Sequence, residues 1–181
     1  LAALVSSGAV HNLVLAEAAD LLATAYEPIP MGRLGEEAAG EPAWSAQPVF
    51  AQEDGAFGAF FNRAVIDHAQ TLDDVPALTA AQTEVLDLID EVTTRPALQL
   101  RHVLQEGEVM FLNNTQVLHS RTGFDDHDEP DERRHLFRLW WGAPRLAALV
   151  PRTVRYPYRF GRTGLTPAEV AAAAGVSSGA A

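Results

Sequence analysis

One histidine stands in a setting where its side chain could do chemistry. The segment FLNNTQVLHSRTGF, residues 111–124, places His119 at the end of a short apolar run, with two asparagines before it and an arginine two positions after it. If this segment is a strand, its side chains alternate between two faces, and Thr115, Val117 and His119 share one of them. An imidazole at that position is either a hydrogen-bonded residue of the core or rim, or a metal ligand.

A metal ligand needs partners, because a protein site for a transition metal uses about three side chains. The remaining histidines of the sequence are His11, His68, His102, His127 and His135. Only residues 127–129, His-Asp-Glu, have a local spacing that could chelate, and they stand in a run of acidic residues beside a proline. That composition is typical of a solvated loop. From spacing alone, the structural and the metal-binding interpretations of His119 both stay open.

A second chemical feature lies in the segment RHLFRLWW, residues 134–141. Alternation puts Arg134, Leu136, Arg138 and Trp140 on one face, with the two arginine backbones about 13 Å apart. A buried arginine is costly to desolvate unless an anion meets it, and this face has no acidic residue of its own. The pattern leaves two alternatives open: the face is solvated, or it receives carboxylates from elsewhere.

Helices are the first of the elements that must position these residues. Apolar spacing over residues 10–25 predicts an amphipathic helix that ends before two prolines. Residues 27–45, rich in Pro, Gly, Glu and Ala, predict a long surface loop that could serve as a lid. Residues 62–71 predict a short helix or turn. Thr79 and Gln82 form a capping-box pattern before an apolar stripe, which predicts a helix up to the next proline.

Strands are predicted where the apolar period changes to two. Residues 46–51 and 56–61 flank a Glu-Asp-Gly turn and predict a hairpin. An acidic loop at 125–132 interrupts the later part of the chain, and further strands are predicted at residues 97–105, 108–114, 115–122 and 134–142. The Arg- and Pro-rich residues 143–181 predict a peripheral tail, with a short capped helix at 166–175.

Composition favours one soluble domain over residues 1–181, since the chain has 181 residues, 48% hydrophobic and 20% charged. No apolar run approaches the roughly 20 residues of a membrane span. Cysteine is absent, which excludes disulfides and thiolate metal sites and predicts a reducing, cytoplasmic location. The net charge is −11, yet residues 133–181 hold 8 arginines against 1 acidic residue. An acidic body repels nucleic acid, so a small anion held among the arginines is the better prediction.

Two segments together resemble one family of enzymes. GEVMFLNNTQVLHSRTGF and DERRHLFRLWW are similar to the C-terminal signature of the taurine and 2,4-dichlorophenoxyacetate dioxygenase family. Upstream stretches such as SSGAVHN, QPVFAQEDG and FFNRAVIDHAQ are similar to successive parts of one branch, so the resemblance covers most of residues 4–142. It implies a mixed α/β fold built on a double-stranded β-helix, or jelly roll. It also implies iron(II) and 2-oxoglutarate, with oxygen as the oxidant.

The resemblance assigns roles to four residues. His119 matches the late histidine ligand of iron. Arg134 matches the arginine that grips the far carboxylate of 2-oxoglutarate, and Arg138 a second arginine near its other carboxylate or an anionic substrate. Asn114 matches an asparagine with a supporting role. Charge-assisted bonds of this kind contribute roughly 1.5–3 kcal/mol each, and the ligands would supply the anions missing from the arginine face.

The family's early His-x-Asp or His-x-Glu pair belongs ahead of SSGAVHN, and the sequence begins there at Leu1. We therefore expect the C-terminal portion of a dioxygenase that hydroxylates a small organic substrate, carrying one of three iron ligands and inactive by itself. Taurine, other sulfonates, amino acids and small organic acids all stay open as substrates. Two alternatives are a jelly-roll module that binds carboxylates without catalysis, and a structural half-barrel that needs a partner chain. The three expected groups, His119, Arg134 and Arg138, should converge on one cavity mouth.

Overall fold

The computed structural model describes residues 2–37, 39–121, 123, 127–129, 133, 136–139 and 151. Within these residues, helices and strands alternate along the chain. The strands are β1 (Ala2–Ser6), β2 (Ile29–Gly32), β3 (Trp44–Gln47), β4 (Phe50–Glu53), β5 (Ala56–Ala59), β6 (Leu100–His102) and β7 (Val117–Arg121). The helices are α1 (Ser7–Glu17), α2 (Ala19–Ala25), α3 (Arg63–Ala69) and α4 (Ala80–Thr94), with a 3₁₀ turn at Pro96–Leu98.

All strand pairs in this part of the chain are antiparallel and belong to small sheets. The largest has the order β6-β1-β7, and β2–β3 and β4–β5 form two separate two-stranded sheets. The predicted mixture of helix and strand is confirmed at this level. The two facing sheets of a jelly roll are not seen within the described ranges, so the jelly roll stays a prediction.

The first helical region departs from its prediction. One helix was predicted over residues 10–25, but α1 begins at Ser7, where the Ser6 side chain accepts a hydrogen bond from the Ala9 amide. The helix ends at Glu17, and Ala18 has φ −150° and ψ 63°, outside the helical region. The continuous helix was therefore wrong. Alanine is a strong helix former, so the break is set by tertiary packing and not by the residue type.

The next two helices follow their sequence signals closely. Asn62 caps α3, because its Oδ1 accepts a hydrogen bond from the Ala64 amide at 3.1 Å. In α4 both halves of the capping box are present: the Gln82 amide donates to Thr79 Oγ1 at 3.1 Å, and the Thr79 amide donates to Gln82 Oε1 at 2.9 Å. Both predicted helices are confirmed.

The predicted hairpin is confirmed, but the predicted loop is shorter than expected. β4 and β5 pair around Asp54 and Gly55, which both have positive φ. The 27–45 loop was wrong at its ends, since β2 occupies the first part and β3 begins at Trp44. Pro30 lies inside β2, although it cannot donate to a ladder. A two-stranded sheet tolerates this, because each strand has a free edge.

The later strands are confirmed only in part. The predicted strand at 97–105 shrinks to β6, the strand at 115–122 is present as β7, and residues 108–114 form no strand, so that prediction was wrong. Of the predicted strand at 134–142, only residues 136–139 are described, and they are not in a strand. Its other residues, and all of the predicted tail except Pro151, lie outside the described residues. β1 was not predicted.

One apolar cluster holds these elements together. It joins buried residues of α1, α3 and α4 to strands β1, β2, β4 and β7, and its largest fully buried side chains include Phe50, Ile66, Leu86 and Ile89. Beside it, Arg95 binds Glu17, with Nη2 2.8 Å from Oε2, and so ties the end of α4 to the end of α1. None of the described helices is long and apolar enough to cross a bilayer.

Candidate functional site

His119 lies in the middle of β7, on the face of the sheet that points away from the core. It pairs directly with Leu4, while the next pair along the ladder is Leu118 with Val5. Leu118 and Val5 are buried, with 9% and 5% of their surface exposed, and belong to the apolar core. Because side chains alternate, His119 and Leu4 occupy the opposite face, and His119 is exposed.

A cavity of about 400 Å³ brings together three of the four residues predicted to form the site. His119, Asn114 and Arg138 all contribute to its lining. Arg134, the fourth, lies outside the described residues. Arg138 is exposed, and no ion-pair partner for it is found in the described part of the chain.

The cavity runs along the edge of β7. Four successive residues of the 117–120 stretch line it, and successive residues of a strand reach a common space only at the strand's edge. Ala3 and Val5, from the core face of β1, also contribute to the lining. The cavity therefore extends from the strand edge toward the helices, while the His119 side chain starts from the other face of the sheet.

Residues that the sequence did not single out form the opposite wall of the cavity. Asn62 and Arg63 come from the start of α3, and Asp90, with neighbouring Thr93 and Thr94, comes from α4. The sequence predicted a short helix or turn at residues 62–71, and FFNRAVIDHAQ contributed to the family resemblance, but neither assigned a role to Asn62 or Arg63. Nothing in the local sequence could have indicated that Arg63 meets Asp90, because the two residues are 27 positions apart on different helices.

Arg63 is the centre of charge in this wall. Its Nε donates to Asp67 Oδ1 at 2.8 Å, and its Nη1 donates to Asp87 Oδ1 at 2.6 Å and to Asp90 Oδ2 at 3.0 Å. The bonds to Asp67 and Asp87 raise the pKa of Arg63. Burial raises the pKa of Asp90, and the Arg63 charge opposes that rise.

The described residues do not complete a metal site. No group of three His, Cys, Asp or Glu side chains suited to an ion is found among them. The His102 ring pairs with Glu108, with Nε2 2.8 Å from Oε2. Residues 127–129 are exposed, which fits the predicted solvated loop. His119 fits the role of a single imidazole ligand, since its ring has no hydrogen-bond partner in the described structure, but it would need ligands from elsewhere.

Comparison with known proteins identifies the family of the chain. Residues 3–140 match the family model described as taurine catabolism dioxygenase TauD, TfdA family. The match covers more than half of the chain, and the chain belongs to this family.

Two relatives illustrate the similarity. The chain is 28% identical over 138 residues to FR-33289 synthase from Streptomyces rubellomurinus (strain ATCC 31215), which covers 72% of this chain and 39% of that protein. It is 37% identical over 62 residues to the taurine hydroxylase-like protein SAT17 from Stachybotrys chartarum (strain CBS 109288 / IBT 7711), or 34% of this chain and 16% of that protein. The chain thus spans about two fifths of the first relative and a smaller share of the second.

Proposed function

We propose that this chain is the C-terminal portion of an iron(II)- and 2-oxoglutarate-dependent dioxygenase that hydroxylates a small organic molecule. The single observation that carries the proposal is the shared cavity. An imidazole, an amide and a guanidinium, from His119, Asn114 and Arg138, line one space of about 400 Å³. A space of that size suits a small ligand, since pockets for such molecules measure roughly 300–1,000 Å³.

His119 would supply one imidazole to the iron, through a ring nitrogen that carries no proton. Two further ligands would come from a His-x-Asp or His-x-Glu pair upstream of Leu1. When bound, iron with 2-oxoglutarate and oxygen supplies the oxidising chemistry. The chain's own side chains bind and orient the reactants, and the donor set in the described residues does not form a complete iron site.

Arg138 would hold a carboxylate at the cavity, because a guanidinium forms paired, charge-assisted bonds to carboxylate oxygens. Arg134, four positions earlier in the sequence, would bind the far carboxylate of 2-oxoglutarate, as the family resemblance implies. Asn114 would support this end of the cavity. Its side chain is half-buried and has no hydrogen-bond partner in the described part of the chain, so its amide is available to a ligand.

We also propose that the intact protein completes a jelly roll on the exposed face of the β6-β1-β7 sheet. Leu100, which pairs with Leu4 on that face, is 66% exposed, and Phe111 nearby in sequence is 79% exposed. Apolar side chains of this kind favour burial, by about 25 cal/mol for each Å² removed from water. A second sheet over this face would also enclose the His119 ring.

The test is turnover in the full-length protein, with the upstream segment present. We expect oxygen consumption that depends on 2-oxoglutarate and iron(II), and its loss in His119→Ala. His102→Ala is the matched control, because His102 is exposed on the same sheet and already paired with Glu108. If His119→Ala consumed oxygen as fast as the unaltered protein, the assignment of His119 would be wrong.

An anaerobic titration separates this function from a module that binds carboxylates without redox chemistry. In a dioxygenase, 2-oxoglutarate chelates the iron, so its affinity should rise when iron(II) is added. If the affinity for 2-oxoglutarate were the same with and without iron(II), the result would favour the binding module. The partner predicted for either function is a small molecule, and the cytoplasm remains the predicted location.

A further inference from the structure

Residues 60–63 form part of the cavity wall that faces β7. Different kinds of contact hold the two ends of this short segment. Its first end is backbone-bonded, because the Phe60 amide donates to the Val49 carbonyl at 2.8 Å and the Ala59 amide donates to the Thr115 carbonyl at 2.8 Å. Its second end is Asn62 and Arg63, where α3 begins. This second end is held by side chains: Val65 and Ile66 of α3 pack in the apolar core, and Arg63 adds ion pairs to α4.

Arg63 fixes that second end by joining two helices. Its bond to Asp67 lies within α3, whereas its bonds to Asp87 and Asp90 reach α4. The Arg63 side chain is 30% exposed, whereas Asp67 and Asp87 are each 60% exposed and Asp90 is 42% exposed, so the pair with Asp90 is the least screened by solvent. One guanidinium therefore bridges the two helices whose ends line the cavity, in addition to their apolar packing.

The carboxylates around Arg63 make the contact between α3 and α4 dependent on the Arg63 charge. Three carboxylates surround one guanidinium, which gives the cluster a formal charge of −2 when all three are ionised. Without Arg63, carboxylates on facing helices would repel one another, and like charges at such distances disfavour the ionised forms. Loss of Arg63 should therefore move α3 and α4 apart at the cavity wall.

We propose that Arg63 is a positioning residue for the substrate, acting through Asn62 and Asp90 and not by contact with the reacting atoms. Asn62 uses Oδ1 to cap α3, and its amide nitrogen has no partner among the described residues, so it can donate to a ligand in the cavity. Asp90 uses Oδ2 for Arg63 and leaves Oδ1 as an acceptor on the same wall. This inference rests on the proposed dioxygenase function.

The experiment compares Arg63→Gln, Arg63→Lys and Arg95→Gln in the full-length protein. Arg95 is a matched control, since it is also 30% exposed and ties α4 to α1 through Glu91 and Glu17, but it does not line the cavity. In Arg63→Gln we expect a roughly ten- to hundredfold fall in kcat/KM for the organic substrate, since displaced binding groups cost rates of that order. KM for 2-oxoglutarate should not change.

The amount of 2-oxoglutarate consumed per molecule of hydroxylated product, here called the coupling, gives a second readout that simple destabilisation would not change. Arg63→Gln should consume more 2-oxoglutarate per molecule of product, and Arg63→Lys should restore part of the coupling. Arg95→Gln should lose stability without a change in coupling. If both glutamine variants lost the same stability and kept normal KM and coupling, Arg63 would be only a structural brace and the proposal would fall.

Failure of the proposed function would be recognised separately. If the unaltered full-length protein showed no turnover dependent on 2-oxoglutarate, the dioxygenase proposal would fail. Hydrogen–deuterium exchange still tests the placement of the wall, because it needs no activity. Faster exchange at residues 60–66 in Arg63→Gln, but not in Arg95→Gln, would support control of the wall by Arg63; equal exchange in both would overturn it.

Discussion

Leu4 of β1 lies directly opposite His119 of β7, and the next pair along the same ladder, Val5 with Leu118, points the other way. Because of this register, neighbouring residues of β7 point to opposite faces of the sheet. Leu118 packs against the helices and holds the sheet in place, while His119 faces the open side. A shift of the register by one residue would bury the imidazole and expose the leucine.

Replacing Leu118 should therefore destabilise the protein without removing any candidate ligand. Leu118 is 9% exposed and belongs to the apolar core, so Leu118→Ala should lower the free energy of unfolding by about 2–5 kcal/mol, as for other buried leucines. His119→Ala, on the exposed face, should change it by less than about 0.5 kcal/mol. Urea denaturation measures both. Equal losses for the two variants would contradict the register.

Acid should weaken the fold through Glu17 and Glu108. Hydrogen bonds from Arg95 lower the pKa of Glu17, and hydrogen bonds from the Gln105 amide and His102 lower the pKa of Glu108. A carboxyl whose pKa is lower in the folded state stabilises it at pH values above its ordinary pKa, roughly 4.3, and this stability is lost as the pH falls through the folded pKa. The free energy of unfolding should thus decrease on acidification below about pH 5.

The pKa of Asp90 is shifted in the opposite direction, so Asp90 should make stability fall as the pH rises. Burial raises its pKa, so its contribution to stability is fully present below the ordinary aspartate pKa of about 3.9 and is lost as the pH rises through the higher pKa of the folded state. Glu17→Gln should make stability less dependent on pH in the acid range, and Asp90→Asn should make it more dependent. Denaturation at a series of pH values measures both slopes. Slopes that changed in the same direction would contradict these assignments.

The helices and the hairpin could be predicted where the signal was local. Thr79 and Gln82 act within one helical turn, so the capping box could be read directly from the sequence. β1 could not be found this way, because its partners are Leu100–His102 and Val117–Arg121, about 100 residues away. Its sequence, AALVS, has no clear alternation of polar and apolar residues. Such non-local pairing determines a strand through tertiary contacts.

The candidate site divides in the same way. His119 and Asn114 were predicted because they lie five positions apart in one recognisable segment, and Arg138 because the same resemblance continued beyond it. Arg63 and Asp90 were missed because their contact joins two helices, each of which looks ordinary on its own. Sequence motifs can indicate which residues carry reactive groups. They cannot indicate which residues form the opposite wall of a cavity, because that depends on how separate helices and strands pack.

Gly32 should tolerate no side chain, although its backbone dihedral angles are ordinary. A Cβ atom placed there would overlap His68 Nδ1 and lie 3.1 Å from the backbone nitrogen of Ala69. Gly32→Ala would force the His68 ring, or the whole of α3, away from β2. Overpacking of this kind costs about 1–3 kcal/mol, which a decrease in the urea midpoint would report.

Gly8 is the matched control for this substitution. A Cβ there meets only Ser6 Oγ, at 3.8 Å, and Gly8 lies within α1, so Gly8→Ala should stabilise the protein by about 0.5–1 kcal/mol. The closest obstacle to a Cβ at position 32 is the His68 ring. Gly32→Ala should therefore cost less stability when it is made in the His68→Ala variant than when it is made in the unaltered protein. If Gly32→Ala were as well tolerated as Gly8→Ala, β2 would not lie as close to α3 as the structure places it.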